Sequence, residues 1–208
     1  SHNFENDIIE AAKNIAKRYQ SNKTHLQGTE YLALPIFDKM KRIHGMEKRE
    51  RLLLQIAVLI HACGKFISMK NSNECGYTLI MSTEIIGLSH LEREIIANVV
   101  RYNIRDFDYD MMQLETEAGQ DLAGVSDRTA ITILIAKLTA ILRLANSMDK
   151  THKSKLIDCR MAVREGQLVI TTGYKGDLAL ESASFEQKAA FFEEIFGIRP
   201  VLKQKRRV

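Results

Sequence analysis

The sequence lacks the features that mark membrane-spanning, secreted and disulfide-bonded proteins. It has no run of eighteen uncharged apolar residues, so we expect no membrane partner, and we expect no secretory leader at its start. Its three cysteines are an odd number without CxxC spacing, which indicates reduced thiols in a cytoplasmic protein. No glycine-rich phosphate loop follows a strand-like run, so the sequence offers no nucleotide-binding loop of that kind.

What the sequence does contain is enough apolar material for a packed core. Apolar residues make up 45% and charged residues 27% of the 208 residues, which is typical of a globular rather than a disordered chain. The net charge of +4 is concentrated late in the chain, where residues 155–208 hold ten Lys and Arg against seven Asp and Glu. The last residues form a short basic tail, which can contact an anionic polymer: Lys203, Lys205, Arg206 and Arg207.

Hydrophobic periodicity predicts a mainly α fold, with helix after helix over residues 4–150. Apolar residues recur at three- and four-residue steps in five segments: 4–19, 26–40, 46–63, 91–102 and 127–148. Pro35 lies inside the second helix, where we expect a kink or a loosened turn. Ser89 followed by Glu92 predicts that a capping box opens the fourth helix. Residues 104–126 are polar and predict a long loop with short helical pieces.

After Lys153 the pattern changes to that of a small α+β domain. The pattern predicts two strands, 157–164 and 167–172, joined by a tight turn at Glu165-Gly166, and a third strand at 177–180. A helix is predicted at 185–196, with Ser184 as its N-cap and Gly197 as its end. An edge strand at Val201-Leu202 completes the predicted domain. The predicted organisation is therefore a helical domain, residues 1–153, followed by a small α+β domain, residues 154–208.

Three segments carry residue types found in metal-dependent phosphohydrolases of the HD class. In that class a His, then His-Asp on a later helix, then Asp on a much later helix hold a divalent ion. The ion lowers the pKa of a bound water and clamps a phosphate. Here the corresponding residues are His25, His61-Ala62 and Asn146. Alanine cannot ligate a metal and asparagine offers only a neutral oxygen, so both expected carboxylates are missing.

We therefore interpret these positions as the remnant of a metal site, and we expect neither a metal nor a catalytic residue in this chain. His25 and His61 are then buried, hydrogen-bonded core residues. A zinc site that uses His61 and Cys63 is an alternative on ligand softness, although the His-x-Cys spacing supplies only two ligands.

A series of motifs along the chain resembles the C-terminal half of the exopolyphosphatase / guanosine pentaphosphate phosphohydrolase family (Ppx/GppA). The matching segments are 32–38 (LALPIFD), 59–67 (LIHACGKFI), 82–89 (STEIIGLS), 92–97 (EREIIA), 100–102 (VRY), 122–128 (LAGVSDR), 141–149 (ILRLANSMD), 176–180 (GDLAL) and 192–197 (FEEIFG). The resemblance covers essentially the whole chain, and it is specific because the segments occur in the family's order.

The resemblance implies an HD-like helical domain followed by a small terminal domain. It places the hydrolysis of phosphoanhydride bonds in two actin-like N-terminal domains, with Mg as the family's expected cofactor, so we expect this chain alone to be inactive. The departures support loss of the metal site. Residues 71–76 contain no His where some members have a His-rich stretch. Asn103 replaces the His of the family's Arg-Tyr-His, which is Arg101-Tyr102-Asn103 here, and Asn146 replaces the late Asp.

In the family, the C-terminal half is associated with polyphosphate binding and dimerisation. The resemblance therefore implies polyphosphate or another polyanion, and a second copy of the chain, as partners, whereas nucleic acid is not expected. Lys and Arg bind a dense polyanion through release of its counterions, and we expect five residues to do so: Lys65, Arg101, Arg105, Lys150 and Lys153.

Arg143 lies on the long apolar helix, and we expect it to pair with an acidic neighbour instead of a ligand. Two alternative functions stay open. The chain could be an active metal-dependent phosphohydrolase of the HD class acting on a nucleotide or polyphosphate, or a purely structural interaction domain.

Overall fold

The structure, a computed structural model, describes residues 2–109, 112, 114 and 125–205. Within these ranges the chain forms eight α-helices, a short 3-10 helix and a three-stranded sheet. The bounds are α1 His2–Arg18, α2 Lys23–Lys39, α3 Lys41–His44, α4 Lys48–Ile60, the 3-10 helix Cys63–Phe66, α5 Ser72–Met81, α6 His90–Tyr102, α7 Val125–Ser147, β1 Cys159–Arg164, β2 Gln167–Thr172, α8 Ala179–Phe196 and β3 Arg199–Gln204. The predicted class, mainly α with a small α+β part, is confirmed.

The long helix α7 is the centre of the molecule. Leu138, Ile141 and Leu142 are fully buried along it, and it packs against α2, α6 and α8. By length and composition alone its segment Asp127–Ser147 is apolar enough to cross a membrane. However, 56% of its most apolar stretch is buried inside the protein, and a core helix has the same composition.

Two helices begin at caps that bring polar groups into place. Ser89 and Glu92 form the predicted capping box of α6, in which the Ser89 hydroxyl accepts from the Glu92 backbone N–H at 3.0 Å. The side chain of Asn22 caps α2 by accepting from the backbone N–H of His25 at 3.1 Å. This cap fixes His25 in the first turn of α2. Pro35 lies inside α2, and the helix continues past it to Lys39.

The sheet is built from a hairpin and a returning strand. Glu165 and Gly166 both have positive φ, 51° and 75°, which is the backbone of the tight two-residue turn predicted between β1 and β2. α8 then crosses over, ends at Gly197 with φ 69°, and β3 pairs parallel to β2. The predicted edge strand at Val201-Leu202 is part of β3.

Three sequence predictions were wrong in detail. Residues 177–180 do not form a strand, because the Asp177 carboxylate accepts from the Ala179 N–H at 2.8 Å and α8 starts there. Ser184 consequently lies inside α8 instead of capping it. The helix α5 was not predicted, since its first turn is polar and Gly76 weakens its middle. It is supported by packing on α6 and on the 3-10 helix.

Buried residues of both parts of the chain belong to one apolar cluster. Leu168 and Ile170 of β2 and Phe185 and Phe192 of α8 are completely buried in the same cluster as the α7 residues. The division into two domains at residue 153 stays a prediction. Most of the predicted loop at 104–126 lies outside the described residues.

Candidate functional site

His25 is held on both sides of its ring by oxygen atoms. It is 4% exposed, its Nδ1 lies 2.7 Å from Asp149 Oδ2, and its Nε2 lies 2.7 Å from Asn146 Oδ1. Asp149 is 2% exposed, and its other oxygen accepts from the backbone N–H of Ser154 at 2.8 Å. Because α2 supplies the imidazole and the end of α7 supplies its partners, this pair joins two distant parts of the chain.

His61 lies edge-on to His25, with ring centroids 5.8 Å apart. It forms the C-cap of α4, and its Nδ1 is 2.6 Å from the carbonyl oxygen of Val58. Burial, followed by the charge of His25, lowers the pKa of His61 to about 4, so the ring is neutral at pH 7. Ala62 packs in a small apolar cluster with Ala16 and Leu26.

These residues do not fit a divalent metal. Both nitrogens of His25 already contact oxygen atoms, one nitrogen of His61 contacts a carbonyl, and Ala62 has no donor. Among the described residues no group of three or more His, Cys, Asp or Glu is placed to hold a metal ion. The alternative zinc site is also unfavourable, because burial raises the pKa of Cys63 to about 11 and zinc binds the thiolate.

Sequence reasoning missed two residues of this cluster, Asp149 and His152. Asn146 was assigned to the late acidic position, whereas the carboxylate that contacts His25 is three residues further on. His152 stacks on His25 at 3.8 Å between ring centroids, with planes 13° apart. The Asp-x-x-His spacing of residues 149 and 152 was the available signal, because it places two such residues just past a predicted helix end.

A polar cavity of about 270 Å³ opens beside His25. The cationic and imidazole groups on its wall are Lys65, Arg143, Lys150, Lys188, His25 and His152. Burial, then the charges of Arg143 and Lys150, lower the pKa of Lys188. The cations are therefore close enough to repel one another across the cavity.

The family model described as Ppx/GppA phosphatase, domain III, matches residues 9–189 of the chain. The chain belongs to this family. It is a region of an exopolyphosphatase-like protein, as the order of the sequence motifs implied. No curated protein matches the chain.

The five residues predicted to bind a polyanion fall into two groups, those that line the polar cavity beside His25 and those that lie outside it. Lys65 and Lys150 line it, whereas Lys153 is exposed and lies outside its wall. Arg101 and Arg105 also lie outside the wall, and both pair with Glu74, at 3.1 and 3.0 Å. Lys65 and Lys150 are thus the predicted residues that the structure brings to the remnant site.

The guanidinium of Arg143 has different partners from those predicted. Among the described residues it donates to the carbonyl oxygen of Tyr102 at 2.7 Å and to that of Arg105, and it lies 4.5 Å over the ring of Phe191. No acidic side chain in the described part of the chain forms an ion pair with it. The end of α6 exposes carbonyl oxygens without helical partners, and these replace the expected carboxylate.

Proposed function

We propose that this chain is a non-catalytic, polyphosphate-binding region of its exopolyphosphatase-like parent, with hydrolysis carried by other domains. The observation that supports this most is the state of His25. Its two nitrogens contact Asp149 and Asn146, so the ring has no free nitrogen for a metal. Without a metal, the remnant site has no evident means of activating water.

Polyphosphate binding is supported by the cations beside the remnant site. Polyphosphate carries about one negative charge per phosphate, and a protein that neutralises such charges releases bound counterions. Among the described residues, four Lys and Arg side chains line the cavity, and the one carboxylate on its wall, that of Asp149, already contacts His25. The balance of charge on the wall therefore favours an anion.

Metal content and hydrolysis of the purified chain test the non-catalytic part of this proposal. We expect well below one divalent ion per chain, and no release of phosphate from polyphosphate when Mg²⁺ is added. A stoichiometric ion together with turnover would instead favour the alternative, a metal-dependent phosphohydrolase of the HD class.

A salt titration of polyphosphate binding tests the other part. If four cations contact phosphates, counterion release predicts that affinity falls roughly 50- to 150-fold between about 50 and 200 mM salt. Fluorescence anisotropy of end-labelled polyphosphate measures this slope. Binding that is absent at low salt, or that does not change with salt, would contradict the proposal.

Self-association is the second candidate role, and an exposed apolar segment favours it. Phe66, Ile67 and Met69, after the 3-10 helix, are 52%, 57% and 74% exposed. We propose that they contribute to a homodimer. Light scattering after size exclusion should give twice the chain mass, and Ile67→Lys should shift the equilibrium towards the monomer. A monomer at all concentrations would exclude this role.

A further inference from the structure

The cavity beside His25 has an excess of positive charge that the described residues do not neutralise. Lys65, Lys150 and Lys188 line its wall, and none of the three forms an ion pair with a described carboxylate. Asp149 accepts from the Ser154 backbone and contacts His25, so both of its oxygens are occupied. Like charges held this close without an anion repel one another, and a bound anion would relieve that repulsion.

The size and lining of the cavity limit the anion to a compact one. Its volume of about 270 Å³ is below the roughly 300–1,000 Å³ of pockets that enclose drug-sized ligands. Among the described residues on its wall, Ile104 is the one apolar side chain. A nucleoside needs apolar or aromatic surface for its base, whereas a phosphate group needs donors and positive charge. One or two phosphate groups fit these properties.

The cavity also joins parts of the chain that lie far apart in sequence. Arg143 and Lys150 come from α7 and the residues just after it, and Lys65 comes from the 3-10 helix. Ser184 and Lys188 come from α8, four residues apart and therefore on one face of that helix. An anion in the cavity would contact α7 and α8 at once.

We propose that this cavity binds a compact phosphate group, the end of a polyphosphate chain or free pyrophosphate, and that the bound group links α8 to α7. This inference rests on the proposed function and narrows it to one site. Lys150, just after α7, and Lys188, in α8, supply the charge, and the Ser184 hydroxyl of α8 is an additional donor. Beside the remnant of the metal site, Lys side chains would then bind the phosphate in place of a metal ion.

Calorimetric titration of the purified chain with pyrophosphate, at constant ionic strength, tests this site. We expect saturable binding to one site per chain. Lys188→Gln and Lys150→Gln should each weaken it roughly tenfold or more, because each removes a charge-assisted hydrogen bond. Lys175→Gln is the matched control, since Lys175 is exposed in the same terminal segment and lies outside the cavity wall. It should bind pyrophosphate as the unaltered chain does.

Thermal unfolding of the same proteins supplies a second measurement. Pyrophosphate should raise the midpoint of the unaltered chain and of Lys175→Gln, and raise it much less for Lys188→Gln, because a ligand stabilises the state that binds it. Circular dichroism without ligand checks that each variant is folded. Orthophosphate and long polyphosphate, titrated in parallel, distinguish a free phosphate compound from a chain end as the preferred source.

The outcomes separate this inference from the broader proposal. If Lys188→Gln and Lys175→Gln bind pyrophosphate equally and bind long polyphosphate equally, the cavity is not the site, although polyanion binding stands. If neither long polyphosphate nor pyrophosphate binds at low salt, both proposals fail. Saturable pyrophosphate binding that depends on Lys150 and Lys188 supports both.

Discussion

At the residue scale, the carboxylate of Asp149 determines how His25 is used. The two side chains are almost fully buried, and the nearest atoms of the two are 2.7 Å apart. Removing one of the two side chains destabilises the fold, because the polar group of the other is then buried without water or a hydrogen bond. The pair therefore contributes to stability and occupies the Nδ1 atom of His25.

Replacing Asp149 by alanine should destabilise the protein strongly. We expect the free energy of unfolding to fall by about 2–3 kcal/mol, the typical result of leaving a buried polar group without its hydrogen-bond partner. Urea denaturation measures the loss, and Asp158→Ala is the control because Asp158 is exposed. A loss for Asp149→Ala that is no larger than that for Asp158→Ala would mean that the pair does not stabilise the fold.

The pKa of His61 predicts how stability depends on pH. Burial lowers this pKa from 6.5 to about 4, so the unfolded chain takes up a proton at higher pH than the folded chain does. The contribution of His61 to stability is complete above pH 6.5 and is lost as the pH falls towards 4. Between pH 7 and pH 5 the loss amounts to roughly 2 kcal/mol.

The variant His61→Gln isolates this effect, because it removes the titration of His61 and keeps all the other titrating groups. Its free energy of unfolding should fall less between pH 7 and pH 5 than that of the unaltered chain, by the same 2 kcal/mol or so. The glutamine amide can still donate to the Val58 carbonyl that His61 contacts. Equal pH slopes for the two proteins would contradict the lowered pKa.

At the scale of elements, the close approach of the 3-10 helix to α5 depends on a glycine. A Cβ atom on Gly64 would overlap the carbonyl oxygen of Ser72 and the backbone nitrogen of Gly76. A Cβ on Gly76 would meet mainly a methyl group of Val100, at 2.9 Å, which a side chain can move to avoid. The backbone contact at Gly64 also fixes the position of its neighbour Lys65 in the cavity wall.

We therefore expect Gly64→Ala to be more harmful than Gly76→Ala. Overpacking against backbone should cost about 3 kcal/mol or more, and overpacking against a methyl group about 1 kcal/mol. Thermal and urea unfolding of the two variants give the comparison. Equal losses would show that the 3-10 helix can move away from α5 without cost.

Elements with strong local signals could be predicted from the sequence, and those formed by packing could not. The capping box at Ser89 and the turn at Glu165-Gly166 are specified by neighbouring residues, and both were confirmed. The helix α5 has a polar start and an internal glycine, so its packing on α6 is what supports it. The residues next to α5 in sequence do not indicate this tertiary contact.

The same distinction applies to the site. The positions of His25, His61 and Asn146 at helix ends followed from hydrophobic periodicity. The contact of Asp149 with His25, 124 residues away in sequence, and the approach of Lys188 to Arg143 depend on how α2, α7 and α8 pack. The motif positions therefore indicate Asn146, whereas the carboxylate that contacts His25 belongs to Asp149, three residues further on.

At the scale of the whole molecule, the shared core predicts that the helical and α+β parts unfold together. Phe185 and Phe192 of α8 are completely buried in the cluster that contains Ile141 and Leu142 of α7. Opening either part alone would expose these rings, so the favourable state is one in which both are folded. Hydrogen exchange measured by mass spectrometry in increasing urea should give the same unfolding free energy for peptides from β2 and from α7.

Phe192→Ala provides the matching perturbation. It should lower the stability of both parts equally, by about 3–5 kcal/mol, because it removes a buried ring from the apolar cluster that both parts share. Leu180→Ala is the control, since Leu180 is 63% exposed on the same helix and its loss leaves no cavity. If β2 exchanges at a lower urea concentration than α7, the boundary predicted at residue 153 separates two independently folding units. In that case a phosphate group bound between α7 and α8 would couple two units that otherwise unfold separately, and pyrophosphate should then protect β2 more than α7.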